Sequence, residues 1–239
     1  MVKSTEHSLD YGPLSGPPHR SKGLSHEDDI GSYFMKRAGK DRNKHLLRIA
    51  ARLFRTKGYA ATSVRDIARA LRLESSSLYH YIDSKEELLY RICTQSLDEL
   101  MEKVEPIVFS PLPPLEKLQS FIEAHVDAIL EDSDRHAVML FELRSLSPRR
   151  RKAIVQLRDR YEHLVLRMVE EGQQAGLLRQ DLSARYLKLA LLNLLNWSIF
   201  WYRPHGPLDS SAIGGLLGEV FLHGVLHTGA PHNALLAAR

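Results

Sequence analysis

From Lys40 to His227 apolar residues recur at three- and four-residue spacing, interrupted only where proline, glycine and capping residues cluster. No segment shows convincing alternation of apolar and polar residues, so sheet formation is excluded in favour of an all-α fold. Leu46, Ile49, Ala50, Leu53 and Phe54 lie on one face of a first helix that Gly58 stops. Thr62 and Ser63 cap a short second helix carrying Val64, Ile67, Ala68 and Leu71, with Asp66 near its positive end. A third helix is expected over 75–81 with Leu78 and Ile82 inward, and Asp83 or Ser84 caps a long fourth from Lys85. Further helices are expected over 85–105, 115–131, 134–146, 148–175, 184–203 and 210–227, about nine in all. Pro106, the prolines of 111–114, Ser147-Pro148, Gly176 and Pro204 to Pro207 supply the stops. Residues 1–38, with Pro13, Pro17 and Pro18 and no periodicity, read as a flexible tail.

Charge divides the remainder. Residues 40–94 carry 12 basic and six acidic side chains, whereas 1–39 carry five of each and 95–239 carry 16 and 18. A basic piece beside a mildly acidic one suggests that the first meets a polyanion. The boundaries expected are a tail over 1–38, a DNA-binding domain over 39–90 and a second domain over 91–239. Two short helices joined by a three-residue turn, inside a basic three-helix unit, are what a helix-turn-helix needs to read double-stranded DNA. Ser75, Ser76 and Ser77, with Tyr79, His80 and Tyr81, bring hydroxyls and an imidazole suited to phosphates and base edges. His80 is the foremost candidate base reader. Thr62, Ser63 and Lys85 are candidate phosphate contacts, and Arg65 either joins them or pairs with a nearby acid.

Residues 45–91, centred on GYAATSVRDIARALRLESSSLYHYIDSKEELL, resemble the DNA-binding domain of the TetR family of bacterial transcription regulators. The likeness rests on Gly58-Tyr59, Thr62 to Ala68, Leu78-Tyr79 and Ser84 to Leu88. It implies a homodimer reading a palindromic operator, and a larger C-terminal domain that binds a small molecule. Ser75, Ser77, Tyr79, His80 and Tyr81 then match groove-facing positions of the family, and Thr62 or Ser63 and Lys85 its phosphate contacts.

In the second domain, LKLALLNLLNWSIFWYRPHGPL concentrates Trp197, Phe200, Trp201 and Tyr202 beside Asn193 and Asn196. An apolar wall with a few polar points suits a small-molecule pocket, which Phe121, His125, Met139, Phe141 and Tyr161 from neighbouring helices can complete. The bland reading makes each of these aromatics ordinary core or interface. Residues 148–208, through Asn196-Trp197 and WYRPHGPL, are similar to a TetR branch that controls fatty-acid or sterol-ring degradation and senses acyl-CoA thioesters. That likeness makes an acyl-CoA the candidate effector, with Arg149, Arg150, Arg151 and Lys152 as basic residues for its phosphates. Dimerisation is expected on the last two helices, where Gly214 and Gly218 permit close approach and Leu217 and Phe221 give apolar area.

Other functions have weaker support. No GxGxxG, P-loop or HExxH is present, Cys93 has no activating neighbour, and no cofactor or third metal ligand accompanies His223 and His227, so an enzyme is not expected. The charge-free run that follows Lys188, Leu189 to Tyr202, is 14 residues and is interrupted by Asn193, Asn196 and Ser198, against roughly 20 for a membrane span. One cysteine and no leader-like start make the cytoplasm the expected location. An activator of the same fold and a helical adaptor that does not bind DNA stand as alternatives; only the adaptor predicts no salt-sensitive DNA affinity.

Overall fold

A computed structural model describes residues 39–226. The tail over 1–38, with Lys36 and Arg37, and His227 lie outside the described residues, as does the side chain of Lys40. Ten α-helices and one 3₁₀ turn make up the described chain: α1 (Gly39–Lys57), α2 (Val64–Ala70), α3 (Ser75–Leu78), α4 (Lys85–Val108), α5 (Pro114–Glu131), α6 (Ser133–Phe141), the turn Leu143–Ser145, α7 (Pro148–Gln174), α8 (Ala184–Asn196), α9 (Ser198–Trp201) and α10 (Ser210–Val225). There is no strand among them, only an isolated bridge between Leu178 and Leu226.

Capping chemistry fixes the first module. Gly58 leaves α1 in the left-handed region at φ 84°, which costs glycine nothing. Ser63 and Asp66 close a reciprocal capping box at α2: the Asp66 amide donates to Ser63 Oγ at 3.1 Å and the Ser63 amide donates to Asp66 Oδ2 at 2.9 Å. The Ser63 hydroxyl, which donates to Asp66 Oδ2 at 2.7 Å, and after it the Ser63 amide hold the Asp66 carboxyl down at about 2. Arg72 takes a φ of 56° in the turn between α2 and α3, a conformation that costs a non-glycine residue about 1 kcal/mol. Leu46, Ala50, Phe54, Ile67, Leu78 and Ile82 form the buried interior beneath that turn.

Four of the expected helices depart from expectation. The third helix stops at Leu78, and residues 79–81 continue as tight turns in which the His80 and Tyr81 amides donate to Ser77 and Leu78 carbonyls. Pro106 does not stop α4, because it sits in the last turn, where its missing N–H forfeits one bond before the Phe109 amide closes on Glu105. The helix expected over 184–203 breaks at Trp197 into α8 and α9. The helix expected over 134–146 ends at Phe141 and yields to the 3₁₀ turn.

Helix α4 crosses the expected boundary at residue 90 without interruption and so belongs to both modules. Beyond it, Leu100, Val104, Phe121, Ile122, Val126, Tyr161, Val165, Met168, Leu191 and Leu195 build one large core. Helix α5 runs through its centre, packed against α4, α7 and, most extensively, α10.

Candidate DNA-binding face and ligand cavity

The exposed edge of the first module carries Ser63, Arg65, Ser76, Tyr79 and His80, with Ser75, Ser77 and Tyr81 half-buried beside them. Tyr79 is 57% exposed, so its ring does not serve the core. Arg91 braces this edge from α4, donating to the Tyr81 carbonyl at 3.0 Å and to the Asn43 side chain. Two expected phosphate contacts are otherwise engaged. Thr62 is buried, and its hydroxyl donates to the Gly58 carbonyl at 2.8 Å, closing the end of α1. Lys85 donates from Nζ to the Tyr59 and Thr62 carbonyls, both at 2.8 Å, and lies 4.3 Å from the Tyr59 ring centre. Both hold the turn that presents Ser63 and α2, a structural task that sequence spacing alone does not separate from a phosphate contact.

A cavity of about 170 Å³ lies in the second module. Leu97, Leu100, Met139, Leu140, Leu189 and Leu192 give it apolar walls, and His125, His136, Tyr161, Asn193 and Asn196 its polar points. Asn196 Oδ1 accepts from both imidazoles, at 3.2 Å from His125 Nε2 and 3.0 Å from His136 Nε2. The second nitrogen of His125 meets the Tyr161 hydroxyl, and that of His136 lies 3.5 Å from Ser96 Oγ. Burial of the two rings pushes His125 down to about 3 and His136 down to about 4, and holds the Tyr161 phenol well above its usual range. Both imidazoles are therefore neutral at pH 7. Their folded values lie below the unfolded one, so this contribution to stability is fully present above about pH 6.5 and falls as acid protonates the unfolded chain. Between about pH 4 and 6, unfolding is expected to take up about two protons through these rings; melting temperature followed across that range, flattened in H136F, checks it.

Arg158 and Glu162 also reach this cavity, 3.5 Å apart, and Lys188 meets Glu162 at 2.6 Å. Neither these residues nor His136 stand out in the sequence; their only signal there is the i,i+4 spacing of Arg158 and Glu162.

Two family descriptions match the chain: bacterial regulatory proteins, tetR family, over residues 46–92, and tetracyclin repressor-like, C-terminal domain, over residues 111–225. The HTH-type transcriptional repressor KstR2 of Mycobacterium tuberculosis is 31% identical over 189 residues, which are 79% of this chain and 94% of that one. The chain belongs to the TetR family. The solved structure of KstR2, described as a ketosteroid transcriptional regulator, superposes with a TM-score of 0.73 over 78% of this chain and 95% of that one. The TetR regulator PfmR of Thermus thermophilus gives 0.69 at 36% identity, over 74% and 97% of the two chains. AibR, solved with isovaleryl coenzyme A and operator DNA, gives 0.67 at 28% identity, over 76% and 98%. This TetR protein is a DNA-binding transcription regulator, and the relatives are regulators rather than enzymes.

Within the TetR fold, several expected ligand and interface residues take other places. His125, Met139, Tyr161, Asn193 and Asn196 line the cavity, and Phe121 lies fully buried behind it, its ring 5.7 Å from that of His125. Phe141, Trp197, Phe200 and Trp201 do not line it. They are 57%, 63%, 48% and 44% exposed and cluster on the surface, with Trp197 and Phe200 ring centres 4.5 Å apart. Trp197, Phe200 and Trp201 lie at and after the break in the helix expected over 184–203, and Phe141 ends α6 beside Phe200, the ring centres 5.5 Å apart. Arg149 is exposed at the start of α7, and Arg150 lies 3.5 Å from Glu86 and over the Tyr90 ring, so this basic cluster adjoins the base of α4 and not the cavity.

Gly214, Leu217, Gly218 and Phe221 face inward on α10. A Cβ on Gly214 would stand 3.0 Å from Glu123 Cα, and one on Gly218 would stand 2.5 Å from the Gln119 side chain. The glycines thus serve contact with α5 of the same chain, because α10 has two apolar faces and composition does not tell which turns in. Gly214→Ala is expected to cost about 1–2 kcal/mol in chemical unfolding, because backbone cannot yield. Gly218→Ala costs less, since the Gln119 amide can swing aside.

Proposed function

We propose that this TetR regulator is a repressor in the cytoplasm, a homodimer that holds a palindromic operator and releases it when an acyl-CoA thioester fills the cavity. The observation that carries this reading is the continuity of α4, which caps the DNA-binding turn through Lys85 and lines the cavity through Leu97 and Leu100. Movement at one end of a stiff helix is felt at the other. The repressor assignment is supported by the name of KstR2, and the effector class by the isovaleryl coenzyme A bound in AibR.

Ser63, Arg65, Ser75, Ser76, Ser77, Tyr79, His80 and Tyr81 are the proposed operator contacts. His125, Met139, Tyr161, Asn193 and Asn196 are the proposed effector contacts within the cavity. Dimerisation is assigned to the outer faces of α8 and α10, where Tyr186, Leu216 and Val220 are exposed and Trp197 continues the stripe. Anisotropy of a labelled duplex from upstream of the gene, against a scrambled duplex at two salt concentrations, tests the reading. Selective binding that weakens with salt and is reversed by acyl-CoA supports it. Equal weak binding to both duplexes, or a complex indifferent to every acyl-CoA tried, contradicts the corresponding part.

A further inference from the structure

Arg55, near the end of α1, sends its guanidinium out of the DNA-binding module. Nη1 donates to Ser133 Oγ and to Asp134 Oδ1, each at 3.0 Å, and Nη2 donates to the carbonyl oxygen of Ile199 at 2.8 Å. The first two partners open α6, and the third lies in α9. These elements also flank the cavity's polar bond. His136 is on α6 one turn beyond Ser133, and Asn196 closes α8 three residues before Ile199. The bond from His136 to Asn196 and the clamp made by Arg55 therefore join the same two stretches of chain, one from within the cavity and one from the DNA-binding module.

The junction between them is not fully satisfied. Ser198 Oγ is buried there without a hydrogen-bond partner, in the four-residue helix that restarts after the break at Trp197. Other ties from α1 differ in kind. Arg48 meets Asp132 at 3.4 Å with a side chain 61% exposed, and Lys44 meets Glu99 at 3.8 Å; neither pair includes a residue of α8 or α9.

The neutral imidazoles decide what can disturb the junction. Each carries one N–H; with Tyr161 donating to His125 and Ser96 facing His136 Nδ1, both N–H groups point to Asn196 Oδ1. Only another hydrogen-bond acceptor can take them. A neutral carbonyl fits an apolar cavity better than a carboxylate, whose desolvation two uncharged rings do not offset.

We infer that Arg55 is the positioning residue through which the cavity governs the DNA-binding module, and that the group it answers to is a ligand carbonyl oxygen that takes the imidazole N–H bonds from Asn196. Loss of those bonds frees α8–α9 from α6, and the clamp on α1 opens. The ligand part rests on the effector reading above; the Arg55 part is testable without ligand or DNA.

Amide hydrogen exchange in residues 53–57 is measured for the wild type, N196L, R55Q and the double variant. N196L is near-isosteric and removes the acceptor; if it does not melt cooperatively, Asn196→Ala replaces it, and R55M likewise replaces R55Q. The acceptor loss is expected to speed exchange about tenfold with Arg55 present and less than about twofold once the clamp is already open. R48Q serves as the control, and its effect is expected to combine independently with that of N196L. Full multiplication of the N196L and R55Q effects, or no N196L effect at all, overturns the role of Arg55.

Isovaleryl-CoA and its thioether analogue, with CH₂ in place of the carbonyl, test the ligand group on the full-length protein. The thioether is expected to bind about tenfold or more weakly and to leave the operator bound. Equal action by both sinks the carbonyl assignment. If neither binds, the effector reading falls and the carbonyl with it, while the exchange measurement still decides Arg55. Release from R55Q as complete as from the wild type, at equal ligand occupancy, also overturns the coupling.

Discussion

Replacing Leu216 and Val220 together by glutamate is expected to convert the protein to a monomer and to lower operator affinity more than about a hundredfold. The two side chains are 46% and 56% exposed on the outer face of α10, one turn apart, while their neighbours Leu217 and Phe221 are buried in the chain's own core. The substitution thus spares the fold and loads only the proposed interface, where two unpaired carboxylates would have to be desolvated in each subunit. In the proposed dimer, loss of dimerisation would separate two recognition elements that engage adjacent half-sites as one body. Sedimentation equilibrium with operator anisotropy checks both halves of the result. A stable dimer with unchanged affinity would place the interface elsewhere; L217E is uninformative here because it unfolds the core.

Tyr79→Ala and His80→Ala are expected to weaken operator binding by about 1–3 kcal/mol each, roughly ten- to a hundredfold, with unchanged melting temperature. Both side chains are exposed, and neither contributes to the buried interior below Leu78 and Ile82. Their effects should differ in kind. If His80 reads a base edge, its loss relaxes preference at one operator position, and competition against a set of single-position operator variants reveals this. Arg65→Gln should instead weaken all sequences alike and reduce the salt slope by about one. Lys85→Met is a contrasting case: it removes the donor to the Tyr59 and Thr62 carbonyls, so stability falls along with affinity. An operator affinity untouched by Y79A and H80A would mean that the exposed edge is not the reading edge.

The switch proposed for Arg55 fits a regulator whose two modules share α4. A shared helix alone transmits motion without fixing its starting point. A side chain bonded across to α6 and α9 holds the DNA-binding module in one orientation until the cavity wall rearranges. An effector operates such a switch only to the extent that it binds the two orientations unequally.

The order and type of the helices were legible from the chain because local physics sets them. Helical spacing of apolar residues, the Ser63 and Ser84 caps, Gly58 and Ser147-Pro148 act within a few residues, and the structure realises them close to where the sequence puts them. The helix-turn-helix and the family likeness were legible for the same reason, since the motif is one contiguous stretch. Which residues of the long C-terminal helices face inward was not. Gly214 and Gly218 meet α5, Trp197 and Phe200 turn to the surface, and His136 joins His125 at Asn196, all through packing between elements far apart in sequence. An α10 apolar on two faces and an aromatic helix interrupted by Asn196 and Ser198 are compatible with several rotations. Tertiary packing chose one, because only that rotation lets α5 approach the glycines and gives two buried imidazoles a common acceptor.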